Sequence, residues 1–375
     1  MKTIPRQMRQ GGDLTGLETT IDLDLSLCAN PYGPAPAART AVNALDFATL
    51  IRPPYDAADR FLTAYAKELG VDASELTPGR GVTEFIILTS RILGLLTSRL
   101  PGPETPVNHR RRAVAVITPE YSGTISAFHQ ADLISPPPGE PPSPEGREAL
   151  VHRAMETHQV VVLSNPSNPE GLYVKSDRLL DIAAGHPSSL MIVDEEYLRF
   201  ERDAKSLAGT DLDNVVVWQS IGKTFGLVGL RAGVMWTRNE LYTKLIRPYV
   251  PTWPLSQLDT VASLGALADT AWCDDTLRKI RTDAYLAEIL LGQLFGASRV
   301  SGTIHFRFVQ LDNPTPIAAH LETQGIAVRT FDGRLPGHPS GIRILAPTSA
   351  DQREQLSDAV NSCPLALHLY AGKLI

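Results

Sequence analysis

The stretch that decides the fold class is residues 220–233, SIGKTFGLVGLRAG, which follows the apolar run NVVVWQS (214–220). Its four glycines allow a bound group to approach the backbone closely. Ser220 and Arg231 form an anion-binding pair, since a guanidinium can hold a phosphate with two N–H groups. Lys223 lies between them, and an amine of lowered pKa can form a Schiff base with an aldehyde. Neither the P-loop order nor GxGxxG is present, so a different kind of phosphate site is predicted.

Apolar runs alternate with helical patterns on the N-terminal side of this stretch. The predicted strands are nearly all apolar, as expected where both faces of a sheet are covered: 112–118, 160–167, 190–197 and 214–220. The segments 145–158 and 176–185 between them have helical patterns, and the apolar run 85–96 predicts a buried helix. This alternation predicts an α/β domain with a mainly parallel central sheet.

A smaller α+β unit is predicted towards the C-terminus. The turn-rich cluster 247–257 is followed by one long helical pattern, 258–295, and then by the runs HFRFVQL, IAVRTF and GIRILAP. We expect residues 1–45 to form an N-terminal arm and part of the small domain. Residues 46–250 are expected to form the large domain, and residues 251–375 the small C-terminal domain.

Two further strings lie at the ends of predicted strands. Asn168 opens the string NPEG, and Asp194 ends the strand in IVDEEY, with Tyr197 three residues later. Ligands in open α/β sheets bind at the carboxyl ends of the strands, so these strings are expected to converge with 220–233. Each has an ordinary explanation by itself, because Asn, Pro and Gly form turns and a strand-end Asp often caps a helix.

Together the three strings supply what pyridoxal 5'-phosphate (PLP) requires. Lys223 can trap the aldehyde, and Asp194 can pair with a protonated pyridine nitrogen, because a buried carboxylate needs a cationic partner. Asn168 and Tyr197 can donate hydrogen bonds to the phenolic oxygen. The anion-binding pair described above can clamp the phosphate. PLP is therefore the predicted cofactor.

The order NPxG, VDExY and SxxK, with an arginine eight residues after the lysine, resembles the fold type I PLP-dependent enzymes of the aminotransferase class I/II group. Within that group the chain resembles histidinol-phosphate aminotransferase and threonine-phosphate decarboxylase through most of its length. The strings that carry this closer resemblance are ANPYGP (29–34), GVTE (81–84), TPEYS (118–122), KTFGLVGLRAGV and the pair VRTF and GIRI. The resemblance implies a homodimer with each site at the subunit interface.

The resemblance also implies roles for the matching residues. Lys223 would carry the cofactor as an aldimine and move protons, with Asp194 and Tyr197 as the other catalytic residues. The cofactor-binding residues would further include Gly81, Val82, Thr83, Tyr121, Asn168, Ser220, Arg231 and Tyr55. Tyr55 would contact the cofactor's phosphate in the neighbouring subunit. The substrate-binding residues would be Asn30, Tyr32, Arg329 and Arg343.

The resemblance implies an aminotransferase that moves an amino group between an amino acid or anionic amine and a 2-oxo acid. A PLP-dependent lyase, either a decarboxylase or a β-eliminase, is the alternative, because it can use the same cofactor residues. A non-catalytic sensor that kept the cofactor pocket is disfavoured, since such modules are usually fused to a DNA-binding domain and the chain has no helix-turn-helix segment.

Four positions depart from the family pattern. Glu196 stands where a small residue usually precedes the tyrosine, and Gly222 stands where a serine often precedes the lysine. The string ILAP follows Arg343, and Trp253 lies in the stretch after RPY. These changes affect the substrate side and the phosphate rim. A substrate other than histidinol phosphate, in specialised biosynthesis, is therefore at least as well supported.

Composition restricts partners and compartment. The 375 residues include 35 Lys and Arg against 41 Asp and Glu, a net charge of -6, so a nucleic-acid or anionic-membrane partner is not expected. No apolar run reaches the roughly 20 residues that cross a bilayer. The first residues carry no secretory signal, which favours the cytoplasm. The three cysteines and nine histidines show no zinc spacing, so no metal is expected.

Overall fold

The computed structural model describes residues 9–97 and 112–364. Its strands are β1 (Leu23–Asp24), β2 (Leu76–Gly79), β3 (Arg112–Ile117), β4 (Asp132–Ile134), β5 (His158–Ser164), β6 (Leu190–Asp194), β7 (Val215–Ser220), β8 (Gly233–Thr237), β9 (Val300–Ser301), β10 (Phe306–Gln310), β11 (Ile326–Ala327), β12 (Arg329–Phe331) and β13 (Gly341–Leu345). Its helices are α1 (Pro36–Asn43), α2 (Ala57–Leu69), α3 (Val82–Thr97), α4 (Ser122–Ala127), α5 (Pro144–Thr157), α6 (Ser176–Gly185), α7 (Glu240–Ile246), α8 (Gln257–Ala268), α9 (Thr270–Phe295), α10 (Pro314–Thr323) and α11 (Ala350–Asn361).

A seven-stranded sheet forms the centre of the molecule, in the order β2-β8-β7-β6-β5-β3-β4. Strands β7, β6, β5, β3 and β4 are parallel, and β8 runs antiparallel to both of its neighbours. Ser164 pairs with Asp194, and Ser220 pairs with Gly233. The predicted mainly parallel α/β architecture is confirmed, and this register brings the ends of the motif-bearing strands to one edge of the sheet.

Both faces of this sheet are buried, which explains the nearly continuous apolar runs. Val161, Leu163, Met191 and Val193 point into one core together with side chains of α2, α5 and α6. The alternate residues of the same strands point into a second core with α3 and α7. Because successive strand side chains point to opposite faces, the two cores require apolar residues at every position.

A smaller sheet, β12-β13-β10-β9, is antiparallel, and β1 pairs in parallel with β11. A third apolar core lies around these strands and includes Leu23 and Leu25 from the N-terminal segment. Side chains from the end of α9, from α10 and from α11 complete it. The proposed division of the chain at residues 45 and 250 stays a prediction.

The long helical pattern 258–295 is two helices, α8 and α9, rather than one. The break is at Asp269, whose backbone has φ -91° and ψ 56°. Asp269 Oδ2 accepts a hydrogen bond from the Ala37 N–H at 3.2 Å, just inside α1. A helical sequence pattern continues across one residue of non-helical backbone, so periodicity alone missed this turn.

The predicted buried helix 85–96 lies within α3, whose apolar residues pack beneath the sheet. Its seven buried side chains include Phe85, Ile86 and Ile92, each at most 1 % exposed. Among the described residues, no helix combines the length and the apolarity that a bilayer crossing needs.

Candidate active site

A cavity of about 390 Å³ lies at the carboxyl ends of the parallel strands. Twelve of the predicted site residues line it: Gly81, Val82, Thr83, Tyr121, Asn168, Asp194, Tyr197, Ser220, Lys223, Arg231, Arg329 and Arg343. They come from the ends of β6 and β7, from the segments that connect the strands of the large sheet, from the N-terminus of α3 and from β12 and β13 of the small sheet. The cavity therefore gathers side chains that are up to 262 residues apart in the sequence, from Gly81 to Arg343.

Lys223 lies in the turn that follows β7, and the N-terminal segment holds this turn in place. The Asn30 N–H donates to the Lys223 carbonyl at 2.8 Å. The two segments are in close backbone contact, because a Cβ at Gly33 would lie 2.6 Å from the Gly226 Cα. Burial lowers the pKa of the Lys223 amine, and Arg343 and Arg231 act in the same direction. The lysine is thus biased towards the neutral, nucleophilic form.

Asp194 ends β6 and is 8 % exposed. Its Oδ1 accepts a hydrogen bond from the Glu196 N–H at 2.9 Å. Burial raises the pKa of Asp194 well above its ordinary value, and the nearby Glu196 and Glu120 raise it further. A cation placed against this carboxyl would stabilise its charged form, as the protonated nitrogen of a heteroaromatic ring would do.

Two predicted aromatic residues line the cavity, Tyr121 and Tyr197. Tyr121 lies just before α4, and burial and the Asp194 charge raise the pKa of its phenol. Tyr197 is 5 % exposed, its ring is 5.3 Å from that of Phe306, and burial raises its pKa. Both phenols therefore stay protonated near neutral pH and can donate a hydrogen bond.

The predicted phosphate end of the cavity brings Gly81, Arg231 and Ser220 together. Gly81 has φ +76°, and a Cβ there would lie 3.1 Å from Arg231 Nη2, so the site needs a glycine. Arg231 Nη2 donates to the Arg80 carbonyl at 3.0 Å. Val82 and Thr83 open α3, whose N-terminal N–H groups favour an anion.

Arg329 and Arg343 face each other across β12 and β13 and close the opposite side of the cavity. Arg343 Nη1 donates to Asn168 Oδ1 at 2.6 Å, and its Nη2 donates to the Ser26 carbonyl at 3.1 Å. Burial and the charge of Arg343 lower the pKa of Arg329 to about 10. Two cations so placed favour an anionic ligand.

Three predicted site residues do not line the cavity in this structure. Asn30 is buried, and its amide donates to the Thr224 carbonyl at 2.9 Å and to the Thr276 hydroxyl at 3.0 Å. The Tyr32 hydroxyl donates to Asp283 at 2.6 Å. Tyr55 is 75 % exposed. Contacts of these three residues with a substrate or a neighbouring subunit stay predictions.

The N-terminal segment contributes a wall of the cavity that the sequence motifs did not include. Gln10, Gly11 and Gly12 line it, and Gln10 Nε2 donates to the Ser122 hydroxyl at 3.0 Å. A Cβ at Gly11 would collide with the Ser26 carbonyl at 2.2 Å. The adjacent glycines were the available signal, since paired glycines mark a turn.

A buried ion pair supports the cavity from behind. Glu120 and Arg147 lie 3.5 Å apart and are at most 3 % exposed. Glu120 also accepts hydrogen bonds from the Ser164 N–H and hydroxyl and from the Tyr121 N–H. This network holds Tyr121 beside the end of β5, and no sequence motif had indicated it.

Away from the cavity lining, His152, Glu156 and His186 have ligand atoms within 4.8 Å of one another. His152 and Glu156 are exposed, and the two histidine rings meet edge to face at 5.0 Å. These three residues could hold a metal ion. The prediction of no metal rested on spacing within the sequence, which does not detect residues brought together from two helices.

Comparison with known proteins decides the family. The sequence profile described as "Aminotransferase class I and II" matches residues 20–359. The chain belongs to this family. A curated relative, histidinol-phosphate aminotransferase from Chlorobium luteolum, is 26% identical over 278 residues, which are 73% of each protein. The chain is thus a PLP-dependent aminotransferase of the class I and II family.

Solved structures of the same fold agree with this family. Histidinol-phosphate aminotransferase from Sinorhizobium meliloti, solved with PLP, superimposes with a TM-score of 0.70 at 20% identity, covering 93% of this chain and 92% of that one. L-threonine-O-3-phosphate decarboxylase from Porphyromonas gingivalis gives 0.73 at 16% identity, covering 90% and 98%. The prediction of a fold type I architecture is confirmed.

The cavity of this aminotransferase fits PLP, the cofactor of the family. The buried Asp194 carboxyl suits a protonated ring nitrogen, and the partly buried Lys223 amine suits an aldehyde. The glycine at position 81 has φ +76°, which side chains rarely allow, and a Cβ there would crowd Arg231. These three features lie around one cavity and match the three polar ends of the cofactor.

Proposed function

We propose that this aminotransferase moves the amino group of an anionic amino acid or amine to a 2-oxo acid, with Lys223 as the residue that holds the cofactor and transfers protons. The observation that carries the proposal is that Lys223, Asp194 and the pair Arg329 and Arg343 line one cavity. An amine, a carboxylate and an anion-binding wall in one cavity are the requirements of amino-group transfer from an acid.

When bound, PLP supplies a protonated pyridine ring that stabilises negative charge at the substrate α-carbon. Asp194 would keep the ring nitrogen protonated, because its buried carboxylate needs a cation beside it. Tyr121 would lie against the ring, and Asn168 and Tyr197 would donate hydrogen bonds to its phenolic oxygen. Ser220, Arg231 and the start of α3 would hold the phosphate.

Lys223 acts as the proton carrier once substrate occupies the cavity. Burial lowers the pKa of its amine, so the neutral form is available to accept the proton from the substrate α-carbon. Arg343 binds the substrate carboxylate through its guanidinium, and Arg329 stands opposite to receive a second anionic group.

The relatives named histidinol-phosphate aminotransferase suggest an amino acid or amine that carries a further anion. Trp253 and the string ILAP after Arg343 depart from that family's pattern on the substrate side. A specialised biosynthetic substrate with an anionic group accounts for both the arginine pair and these departures.

We further propose a cytoplasmic homodimer. Five large apolar side chains, which we call the exposed apolar patch, are 42% to 85% exposed: Phe47, Ile51, Tyr55, Tyr249 and Trp253. Within it, the Tyr55 and Trp253 rings meet edge to face at 5.8 Å. This patch adjoins the phosphate end, because Arg80 donates to the Pro254 carbonyl at 3.3 Å and accepts from Arg231. A second copy seated there would cover the patch and bring Tyr55 near a neighbouring cavity. Three buried thiols, Cys28, Cys273 and Cys363, suit a reducing compartment.

The test is an absorbance spectrum of the purified protein before and after addition of a panel of anionic amino acids. We expect a visible band from the lysine-bound cofactor, its conversion to the pyridoxamine 5'-phosphate spectrum, and a 2-oxo acid in the mixture. Lys223→Ala should lack the band, whereas Lys244→Ala, which removes an exposed amine paired with Glu240, should keep it. Release of CO2 or of a side-chain fragment without pyridoxamine 5'-phosphate would show a lyase instead.

A further inference from the structure

Glu196 is hydrogen-bonded to the Ser220 hydroxyl, which is a group that the phosphate site would use. Glu196 lines the cavity, and its Oε1 accepts a hydrogen bond from the Ser220 hydroxyl, with 2.7 Å between the two oxygens. The Ser220 oxygen in turn accepts from the Gly222 N–H at 3.1 Å. A serine hydroxyl has one proton to donate, so Ser220 cannot serve both Glu196 and a phosphate oxygen with it.

The charges around Glu196 come from several elements. Lys223 and Arg231 attract a negative charge there, and Asp194 repels it. Tyr65 of α2 and Tyr197 are the other titratable groups that interact with it. Burial raises the pKa of the Glu196 carboxyl, whereas the Ser220 hydroxyl, the two cations and the Lys223 backbone N–H oppose that rise. Its Oε2 is buried and has no hydrogen-bond partner among the described residues.

A phosphate monoester carries a charge of about -1.5 to -2 near neutral pH. Beside it, a Glu196 carboxylate would repel the phosphate and compete for the Ser220 proton. A neutral carboxylic acid at the same place removes the repulsion and has an O–H to donate. The orphaned Oε2 atom is an available position for that proton.

We propose that Glu196 takes up one proton from solvent when the cofactor's phosphate binds, so that a carboxylic acid, not a carboxylate, lies beside Ser220 in the loaded enzyme. The proposal rests on the proposed cofactor site at Ser220 and Arg231. No bond other than that O–H forms or breaks at Glu196 in this step, and the part of binding that is due to the phosphate takes up one proton. Glu196 is therefore a positioning residue for the cofactor.

Cofactor affinity should then depend on pH through this carboxyl. Once Glu196 is ionised in the free protein, each further pH unit should weaken phosphate binding by up to about tenfold. Glu196→Gln carries no charge at any pH and keeps an amide in place of the acid. It should bind more tightly than the wild type at pH 8.5 and show no such pH dependence.

The probe is pyridoxine 5'-phosphate, which has no aldehyde and so leaves Lys223 unmodified. Its affinity for the apoenzyme is measured by calorimetry from pH 6.5 to 9 in two buffers of different ionisation enthalpy, which reports proton uptake. Pyridoxine, which lacks the phosphate, is the control ligand. Glu195→Gln is the control variant, because Glu195 is a neighbouring buried carboxyl bonded to Ser206, Leu207 and Gln219 instead of to Ser220.

We expect more proton uptake with pyridoxine 5'-phosphate than with pyridoxine in the wild type and in Glu195→Gln, and no such difference in Glu196→Gln. The pyridoxine value accounts for any proton that Asp194 loses when the ring binds. Equal proton uptake in Glu196→Gln and the wild type overturns the role of Glu196 alone. Failure of every folded variant to bind either pyridoxine 5'-phosphate or PLP overturns the proposed function as well. Circular dichroism checks that each variant is folded.

Discussion

Arg329 and Arg343 lie directly opposite each other on neighbouring antiparallel strands, and both are at most 6 % exposed. Like charges placed opposite one another across a sheet repel, and burial removes the water that would screen them. Phe331 lies against both guanidinium groups, 5.0 Å from Arg329 and 5.9 Å from Arg343. The repulsion within this pair destabilises the folded protein, and an anionic ligand bound in the cavity would offset that destabilisation.

Arg343→Ala should lower kcat/KM by about 30- to 1000-fold, because a charge-assisted pair with a substrate carboxylate contributes about 2–4 kcal/mol when water is excluded. Arg343→Lys should recover only part of this loss, since an ammonium cannot form the bidentate contact. Steady-state kinetics with the substrate identified by the panel gives both values, and thermal unfolding reports the lost bond to Asn168.

Arg334→Ala is the matched control for this prediction. Arg334 is 86 % exposed at its side chain and pairs with Asp332 in the loop after β12. Its removal should leave kcat/KM within about twofold, because exposed ion pairs contribute little. Equal losses in Arg343→Ala and Arg334→Ala would mean that the loop, and not the buried guanidinium, affects the reaction.

Asp194→Asn should leave the cofactor bound but lower kcat by about 10²- to 10⁴-fold. The amide oxygen can still accept the Glu196 N–H, so the local backbone should keep its place. The lost charge, however, removes the partner that keeps the ring nitrogen protonated. Absorbance of the bound cofactor and single-turnover rates separate the two effects. Normal turnover in Asp194→Asn would rule out this pairing.

Ile51→Asp should weaken self-association on the order of 100-fold, because a carboxylate buried in an apolar interface loses its hydration. Ile51 is 85 % exposed within the patch defined above. Ile289→Asp, a matched change on the exposed face of α9, should leave the dimer intact. Sedimentation velocity measures the assembly. A wild-type protein that is monomeric at all concentrations would contradict the proposed dimer and the proposed contact of Tyr55 with the neighbouring subunit.

The strands of the large sheet and the residues of its motifs could be predicted because their signals are local. Apolar runs at every position give buried parallel strands, and each chemistry-bearing residue lies within a few positions of a strand end. Lys223, Asp194 and Ser220 are found in this way. The order of the strands then places these residues at one edge without any further information.

The remaining features depend on contacts between distant segments, which leave little pattern. The bonds of Asn30 to Thr224 and Thr276 join residues that are more than 190 positions apart. These bonds explain why Asn30, which is next to Lys223 in space, can stabilise the turn that carries Lys223 although Asn30 does not line the cavity. Glu196 was visible as a departure, but its contact with Ser220 required the positions of both side chains.

Glu170 is a buried carboxyl whose effect on stability depends on pH. It is 5 % exposed, and burial raises its pKa to about 7, with Arg147 opposing the rise. The unfolded chain ionises this group near its ordinary pKa of 4.5. Below that pH both states hold the proton. Between the two values only the folded state does, so stability is lost as pH rises towards 7.

Glu170→Gln should therefore stabilise the protein at pH 8 by up to about 3 kcal/mol and leave its free energy of unfolding near pH 4.5 almost unchanged. Urea unfolding at both pH values measures the difference. Glu240→Gln is the control, because the Lys244 partner lowers the pKa of this exposed carboxyl and its loss should not stabilise the fold at pH 8. A Glu170→Gln protein that is equally destabilised at both pH values would mean that the amide fails to fit, whereas stabilisation confined to high pH identifies the buried charge as the cost.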